Sequence, residues 1–453
     1  MNEITERKLK FIQKIGYGIG DFGSNYSWTF VASFVMLYFT NAVGLDAAVI
    51  GTIMLISRIL DGFTDIFMGT IIDRTRTRMG KARFWYFVSC FPTALCVYLI
   101  FNIPGSFSEG TKYIYIFIVY TLMGAIFYTM NNIAYTTMSI LVTRDNEERV
   151  QLTSYRYVFA TLGVLVISAT TSGLVDYFGG GQEGWRIVSV IYSLICLIGL
   201  LIPVVAVKEL PEDENPKERK GKENRQNLII IEDIKLLLKN KYFILGLAYY
   251  LVYYLVFGAF QALGIYYATY NLKDGGLLGA LAMASWVPSI ILLPFVSILT
   301  GKWGVRKASI YGYFFTLAGA ILAYIGGIAM KIPLILLGLV IRSIGEVPIT
   351  GGFNTLLAEA DDYSLLRYGK RVTGSLFSCT SVGIKVGTGL GTTFCGFLLK
   401  FSRFDSHAVV QSNYTLNMIM NAYFLPYIIM SVMVIVILLF FDVEKQNYKL
   451  RGK

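Results

Sequence analysis

Residues 187–207 read IVSVIYSLICLIGLLIPVVAV, and not one of them is charged. A helix needs about 20 apolar residues to cross a bilayer, so this stretch is long enough to do so. Residues 423–441, which read YFLPYIIMSVMVIVILLFF, have the same character. The chain is 55% hydrophobic and only 15% charged, a composition typical of membrane proteins rather than soluble domains.

Including these two stretches, we predict about twelve membrane-spanning helices. Some of the apolar segments are longer than a bilayer requires and contain Gly, Pro or a single charge, as tilted or kinked helices around an interior do. The segments are residues 13–41, 46–72, 83–103, 111–141, 150–177, 185–207, 240–270, 276–300, 308–329, 332–357, 372–401 and 415–441.

The net charge of +11 comes mainly from Lys and Arg residues in short loops between the apolar segments. If the N-terminus is cytoplasmic, most of these residues fall on the cytoplasmic side, as the positive-inside rule requires. This distribution predicts a multi-pass protein of the cell membrane with both termini in the cytoplasm. It also argues against nucleic acid as the partner, because the basic residues orient the chain in the bilayer.

The chain divides near its middle. Its longest polar run lies within 208–233, which predicts a cytoplasmic linker between residues 1–207 and 234–453. The basic loops at 73–83 and 301–307 each contain glycine, and they follow the second segment of each half. The expected fold is therefore an all-α membrane protein of two pseudo-symmetric six-helix bundles, an arrangement typical of transporters with a central site.

The strongest signal for a site is Arg58-Ile-Leu-Asp-Gly-Phe-Thr-Asp65, within the second segment. Asp61 and Asp65 are spaced i,i+4, which places them about 6 Å apart on one helix face. Two carboxylates this close repel each other in a low dielectric, and a bound Na⁺ or a shared proton would resolve the conflict. Thr64 and Thr129 are further candidate oxygen ligands for this cation.

Lys385 is a lone lysine among the glycines of residues 381–391. These glycines permit close helix approach, and we expect the lysine to face Asp61 or Asp65. The alternative for the aspartates is a purely structural pair that Arg58 and Lys385 neutralise.

Polar residues on the first, fourth and fifth segments are candidates for binding a hydroxyl-rich solute. For those on the fourth segment, the alternative is hydrogen bonding between helices. Arg156 could donate to a ligand or pair with Asp21, whereas Arg342 and Glu346, spaced i,i+4, are expected to pair with each other. The candidates are Asp21, Asn25, Asn131, Asn132, Tyr135 and Arg156.

Other classes of site are not favoured. Gly18, Gly20 and Gly23 resemble a dinucleotide-binding motif, but no strand precedes them. The five cysteines lie in apolar stretches without metal-ligand spacing and are expected to be free thiols. With His407 as the only histidine, a metal site or proton relay built on histidine is not expected, nor is an intramembrane enzyme.

These motifs resemble those of the glycoside-pentoside-hexuronide:cation symporters, the melibiose-carrier-like branch of the major facilitator superfamily. The resemblance covers nearly the whole chain, and the motif on the second segment is the most specific part of it. It implies two six-helix bundles, a central sugar site and alternating access. The stretches that carry it are residues 17–23, 58–65 running into 69–81, 154–156, and 369–374 followed by Lys385.

The resemblance also implies roles for individual residues. Asp61 and Asp65 match the family's cation-site aspartates, and Lys385 matches its lysine on helix 11. Three positions differ from melibiose carriers, which weakens the expectation of melibiose and leaves Na⁺ and H⁺ open. Asn25 and Asn131 stand where melibiose carriers have acidic residues on helices 1 and 4. Thr64 stands where they have an asparagine between the two aspartates.

We therefore expect a monomeric symporter that carries a glycoside, pentoside or hexuronide together with Na⁺ or H⁺ and needs no other cofactor. The alternative on the same fold is an uncoupled facilitator or an exporter. Such a protein would not need the paired aspartates, and its transport would survive collapse of the ion gradients.

Overall fold

The computed structural model describes residues 8–143, 146–210, 238–369, 373–406, 408 and 410–450, and within these residues every regular element is helical. Two predictions fall outside the described residues: residues 211–233, which are most of the predicted linker, and His407. Four cysteines have described side chains, and all four are buried free thiols, as predicted.

The first half of the chain forms seven helices, two of which are parts of one span. A π turn at Leu122–Tyr128 joins α4 to α5, and another at Tyr38–Ala42 extends α1. The helices are α1 (Phe11–Leu37), α2 (Ala47–Arg74), α3 (Ala82–Ile100), α4 (Glu109–Thr121), α5 (Thr129–Leu141), α6 (Asn146–Tyr177) and α7 (Gly181–Ala206).

The second half also contains a π turn and a span divided between two helices, and it adds a short helix after its last span. A π turn at Tyr267–Asn271 extends α8, and a 3-10 turn at Leu293–Phe295 separates α9 from α10. The helices are α8 (Lys241–Tyr266), α9 (Leu277–Leu292), α10 (Val296–Trp303), α11 (Val305–Ile328), α12 (Ile332–Tyr368), α13 (Thr373–Phe401), α14 (Asn413–Phe440) and α15 (Val443–Leu450).

Each of the twelve predicted segments coincides with helix in this structure. Within the described residues, nine helical stretches are long and apolar enough to cross a membrane. The prediction of an all-α membrane protein is confirmed. The sequence did not predict the three π turns, because inserting one residue into a helical turn leaves the apolar pattern almost unchanged.

The chain folds into two compact units, each built from more than one stretch of sequence. The first unit contains Met1–Pro211, Ala259–Ala282 and Thr392–Ile419. The second contains Glu212–Gly258, Met283–Gly391 and Met420–Lys453. The predicted boundaries of the six-helix halves remain a prediction.

Asp46 begins α2 in the first unit. Its Oδ1 accepts hydrogen bonds from the N–H groups of Ala48 and Val49 at 2.9 and 3.1 Å, and its Oδ2 lies 3.2 Å from Lys400 Nζ. Partial burial opposes ionisation of Asp46, but the N–H groups of Val49 and Ala48 and the ammonium of Lys400 lower its pKa below the usual value. Asp46 therefore caps the helix as an anion.

The two basic loops share a contact that supports the internal repeat. At the start of α3, Arg83 Nε donates to the carbonyl of Val204 at 2.8 Å. At the start of α11, in the second unit, Arg306 Nε donates to the carbonyl of Leu438, also at 2.8 Å. In each unit, a guanidinium thus satisfies carbonyl groups near the C-terminus of another helix.

A glycine of positive φ precedes each of these arginines. Gly80 has φ +104°, and Glu209 carboxylate atoms occupy the place where a side chain would stand. The same carboxylate accepts from the N–H of Lys81 at 2.9 Å. Gly304 has φ +76° and lies near the carboxylate of Glu444. Both loops therefore favour glycine, for which positive φ carries no steric cost.

The glycines of α1 allow close helix packing. A Cβ at Gly23 would lie 2.9 Å from the backbone N of Leu200. A Cβ at Gly16 would lie 2.6 Å from Ala206 Cβ, and one at Gly20 would lie 2.5 Å from Pro203 Cγ. α1 therefore packs directly on α7 through a face without side chains.

Candidate functional site

Asp61 lies near the middle of α2 and is only 5% exposed. Its Oδ1 accepts a hydrogen bond from Thr129 Oγ1 at 2.5 Å, and its Oδ2 lies 3.6 Å from Nη1 of Arg58. A buried carboxylate needs such partners, because burial without them penalises its charge. Thr129 is the first residue after the π turn Leu122–Tyr128.

The other predicted cation-site residues lie along the same part of α2. Thr64 Oγ1 donates to the carbonyl of Asp61 at 3.0 Å. Asp65 follows one helical turn after Asp61 and is partly exposed. The structure thus connects Asp61 with Thr64 and Thr129 by hydrogen bonds and places Asp65 on the same helix face.

Trp28, which sequence reasoning missed, lies against Arg58. The guanidinium carbon of Arg58 is 3.9 Å from the centroid of the Trp28 ring, an arrangement suited to a cation–π interaction. The ring of Tyr128, at the end of the π turn, lies 4.8 Å from Trp28. Helical spacing could have identified Trp28, because it lies seven residues after Asp21 on the same face of α1.

Asp21 and Arg156 form an ion pair between α1 and α6. Arg156 Nε donates to Asp21 Oδ2 at 2.7 Å, and the two side chains are 16% and 12% exposed. The structure therefore shows the pairing alternative for Arg156, and the remaining exposure leaves the pair within reach of a ligand. Asn25 is partly exposed, and its Nδ2 donates to the Asp21 carbonyl at 3.0 Å.

A stack of tyrosines supports this ion pair. The guanidinium carbon of Arg156 lies 4.4 Å from the centroid of Tyr135. Tyr135 stacks between Tyr17, with centroids 4.5 Å apart, and Tyr86, at 5.2 Å. The hydroxyls of Tyr17 and Tyr135 each donate to the other residue's carbonyl. Tyr135 is buried, so the structure places it as support for Arg156.

The two asparagines of α5 differ in environment. Asn131 is 0% exposed, accepts from Ser24 Oγ at 3.0 Å and donates to Ser89 Oγ at 2.9 Å. It joins α5 to α1 and α3, so the geometry favours the interhelical alternative over the predicted contact with sugar. Asn132 is exposed. Of the two residues, only Asn132 therefore has an exposed surface.

The remaining intramembrane charges lie in the second unit. Arg342 Nη1 is 3.2 Å from Glu346 Oε1, as the i,i+4 spacing predicted. Lys385 is partly buried on α13. A Cβ at Gly387 would lie 2.9 Å from the Leu251 carbonyl, so this glycine permits close approach to α8. The pairing of Lys385 with Asp61 or Asp65 remains a prediction.

Within the first unit, the site residues form two polar groups. One contains carboxylate and hydroxyl oxygens, the ligand type that hard cations prefer. The other combines an ion pair with aromatic rings and amides, and it offers hydrogen-bond donors and acceptors to hydroxyl groups. Trp28 and Asp21 lie on one face of α1 and so connect the two groups.

Comparison with known proteins gives one result for sequence and one for fold. The family model described as MFS/sugar transport protein matches residues 16–445. The isoprimeverose transporter of Lactiplantibacillus pentosus is 28% identical, with 99% of this chain and 92% of that protein covered. The putative glycoside/cation symporter YagG of Escherichia coli (strain K12) is also 28% identical, with coverage of 89% and 86%. The crystal structure of the nucleoside transporter NupG superimposes with a TM-score of 0.62 at 14% identity, over 95% of this chain and 98% of that chain.

Proposed function

The chain belongs to the MFS/sugar transport protein family, and we propose that it couples sugar entry to a cation, Na⁺ or H⁺, by alternating access. The sugar would be a glycoside, pentoside or hexuronide. This proposal agrees with the names of its relatives, an isoprimeverose transporter and a putative glycoside/cation symporter. The proposed carrier is a monomer with both termini in the cytoplasm.

The single observation that carries the proposal is the environment of Asp61. Its buried carboxylate bonds to the Thr129 hydroxyl at 2.5 Å, with Arg58 at 3.6 Å and Asp65 one turn along α2. Two carboxylates and one guanidinium sum to one negative charge, which one monovalent cation would neutralise. Lys385 would balance this charge when no cation is bound.

Sugar would bind to the second polar group. Asp21 accepts and Arg156 donates hydrogen bonds, and charge-assisted bonds of this kind are stronger than neutral ones. Asn25 and Asn132 add amides at the accessible positions. The tyrosine stack behind Arg156 fixes the guanidinium, so little ordering would be required when the sugar binds.

The cation would promote sugar binding if both ligands favour the same conformation of the carrier, and the effect is necessarily reciprocal. The experiment is uptake of labelled glycosides by membrane vesicles under imposed Na⁺ and H⁺ gradients. Accumulation above the external concentration under one gradient supports symport. Equilibration that is indifferent to both gradients would establish an uncoupled facilitator instead, and net release of label from preloaded vesicles against its gradient would establish an exporter.

A further inference from the structure

We infer that the π turns Tyr38–Ala42 of α1 and Tyr267–Asn271 of α8 form a latch that holds the outer ends of spans from the two sequence halves together. The latch must open before a solute can enter from outside. This inference rests on the proposed function, since it concerns a carrier that works by alternating access with its N-terminus in the cytoplasm. All residues that carry it belong to the first compact unit, which includes Ala259–Ala282 and Thr392–Ile419 of the second half.

The two π turns have the same backbone geometry. After the turn Tyr38–Ala42, the N–H of Val43 donates to the carbonyl of the first residue of the turn at 3.1 Å. After the turn Tyr267–Asn271, the N–H of Leu272 makes the equivalent bond, also at 3.1 Å. Each turn ends the first span of its half, so the pair belongs to the internal repeat. Turns of this kind are frequent at functional sites.

Side chains at these turns bond to each other. The hydroxyl oxygens of Thr40 and Tyr266 lie 2.7 Å apart, and the two residues are only 3% and 0% exposed. Beside them, Asn41 Nδ2 donates to the hydroxyl of Tyr270. Hydrogen bonds therefore join the end of α1 to the end of α8, and separating the buried hydroxyls would cost each its partner.

Glycines bring neighbouring helices together at the same end of the unit. A Cβ at Gly396 of α13 would overlap the carbonyl oxygen of Ala47 at the start of α2. A Cβ at Gly279 of α9 would lie 2.7 Å from Cα of Ala169 in α6. Each contact joins a helix of the first half to a helix of the second. Backbones this close leave no space for a sugar between the paired helices.

Two polar contacts between α2 and α13 differ in weight. Thr393 Oγ1 donates to the carbonyl of Gly51 at 2.9 Å in a buried position. Asp46 Oδ2 lies 3.2 Å from Lys400 Nζ, but these side chains are 37% and 57% exposed. Exposed ion pairs contribute little to stability, so the buried bonds and the glycine contacts hold these ends together. The ion pair marks a position at which the two halves can be cross-linked.

Reversible cross-linking is the first test. In a cysteine-free background, Asp46→Cys and Lys400→Cys are joined by a short bis-thiosulfonate linker that a reductant cleaves, and linker incorporation is measured by mass spectrometry. We expect exchange of labelled glycoside to stop on cross-linking and to return on reduction. Asp46→Cys with Tyr113→Cys is the matched control, because the Asp46 N–H donates to the Tyr113 hydroxyl at 3.0 Å within the first half. Its linker should leave exchange unchanged.

The cross-linking outcomes separate the latch from the proposed function. Exchange that continues at the same rate with Asp46→Cys and Lys400→Cys linked would overturn the inference while leaving sugar transport intact. If the unlinked protein exchanges no glycoside, the proposed function fails, and thiol labelling still tests the latch.

Thiol labelling tests the buried hydrogen bond without requiring transport. Thr393→Cys in the cysteine-free background is the reporter, labelled by a membrane-impermeant maleimide added from outside. Adding Tyr266→Phe removes the hydroxyl that faces Thr40 and should raise the labelling rate roughly 2- to 10-fold. Tyr115→Phe is the control, because the Tyr115 hydroxyl donates to the Leu99 carbonyl at 3.0 Å within the first half. Equal labelling in the two folded variants would overturn the inference, and cross-linking decides it if Tyr266→Phe does not fold.

Discussion

Asp61 lies close to Thr129 and Arg58, which contribute differently, and the hydroxyl of Thr129 is the closer of the two. We predict that Thr129→Val weakens apparent cation affinity by roughly 5- to 150-fold, because a lost buried hydrogen bond costs about 1–3 kcal/mol. Thr129→Ser keeps the hydroxyl and serves as the matched control. The measurement is the cation concentration that half-maximally stimulates sugar uptake, and equal values in all three proteins would remove Thr129 from the site.

Trp28 lies between the two polar groups, since its ring covers Arg58 and it shares a face of α1 with Asp21. We predict that Trp28→Leu reduces the effect of the cation on sugar affinity, because cation–π contacts of this kind are worth about 0.5–2 kcal/mol. Trp28→Phe keeps an aromatic face and should retain part of the effect. Sugar affinity is measured with and without cation, and full coupling in Trp28→Leu would contradict this role.

The environments of the two asparagines of α5 could not be predicted from the sequence. The sequence identifies amides in mid-membrane, but it does not fix which one faces a ligand, because the π turn before Thr129 shifts the residues that follow it around the helix. Composition and spacing were sufficient to identify Asp61, Asp65 and Asp21 as candidates, because charges inside a span have few possible explanations, and their roles stay predictions.

Asn131 and Asn132 should therefore respond differently to alanine. Asn131→Ala leaves Ser24 and Ser89 without their amide partner and should destabilise the protein by about 1–3 kcal/mol. Asn132→Ala should weaken sugar affinity with little change in stability. Thermal unfolding in detergent and sugar binding are measured on both variants. A stable Asn131→Ala protein with impaired sugar binding would restore the sequence-based expectation for Asn131.

At the scale of the element, the packing of α1 depends on residues that have no side chain. Gly23→Ala would place a Cβ 2.9 Å from the Leu200 backbone N, which cannot move away as a flexible side chain could. Overpacking of this kind costs about 1–3 kcal/mol, so we predict a lower midpoint of thermal unfolding. Gly173→Ala in α6 meets nothing within 4 Å and should be neutral or stabilising. Equal midpoints for the two variants would contradict the packing argument.

Helix positions were predictable because a bilayer imposes a minimum apolar length and forces backbone hydrogen bonds to close within each helix. The positions at which these helices bend or break were less predictable. Pro288 lies within α9 and Pro294 lies in the 3-10 turn that follows, yet proline alone does not show whether a membrane helix bends or breaks. Local departures of this kind depend on the surrounding helices, which the sequence pattern does not reveal.

At the scale of the whole molecule, the internal repeat is visible in side-chain geometry as well as in sequence. Arg83 and Arg306 each donate to a carbonyl in their respective units, and each follows a glycine of positive φ. The family match over residues 16–445 confirms the resemblance that the motifs suggested. Substrate and coupling ion depend on only a few side chains within this frame, so fold and family do not determine them.

Asp61→Asn and Asp65→Asn test whether a cation drives sugar transport when accumulation and exchange are measured on the same vesicles. Each variant removes a negative charge and an anionic ligand oxygen, so we predict that gradient-driven sugar accumulation fails. Exchange of internal for external sugar should persist, because the proposed sugar ligands lie on other helices. Accumulation at the wild-type level in both variants would contradict cation binding at these aspartates.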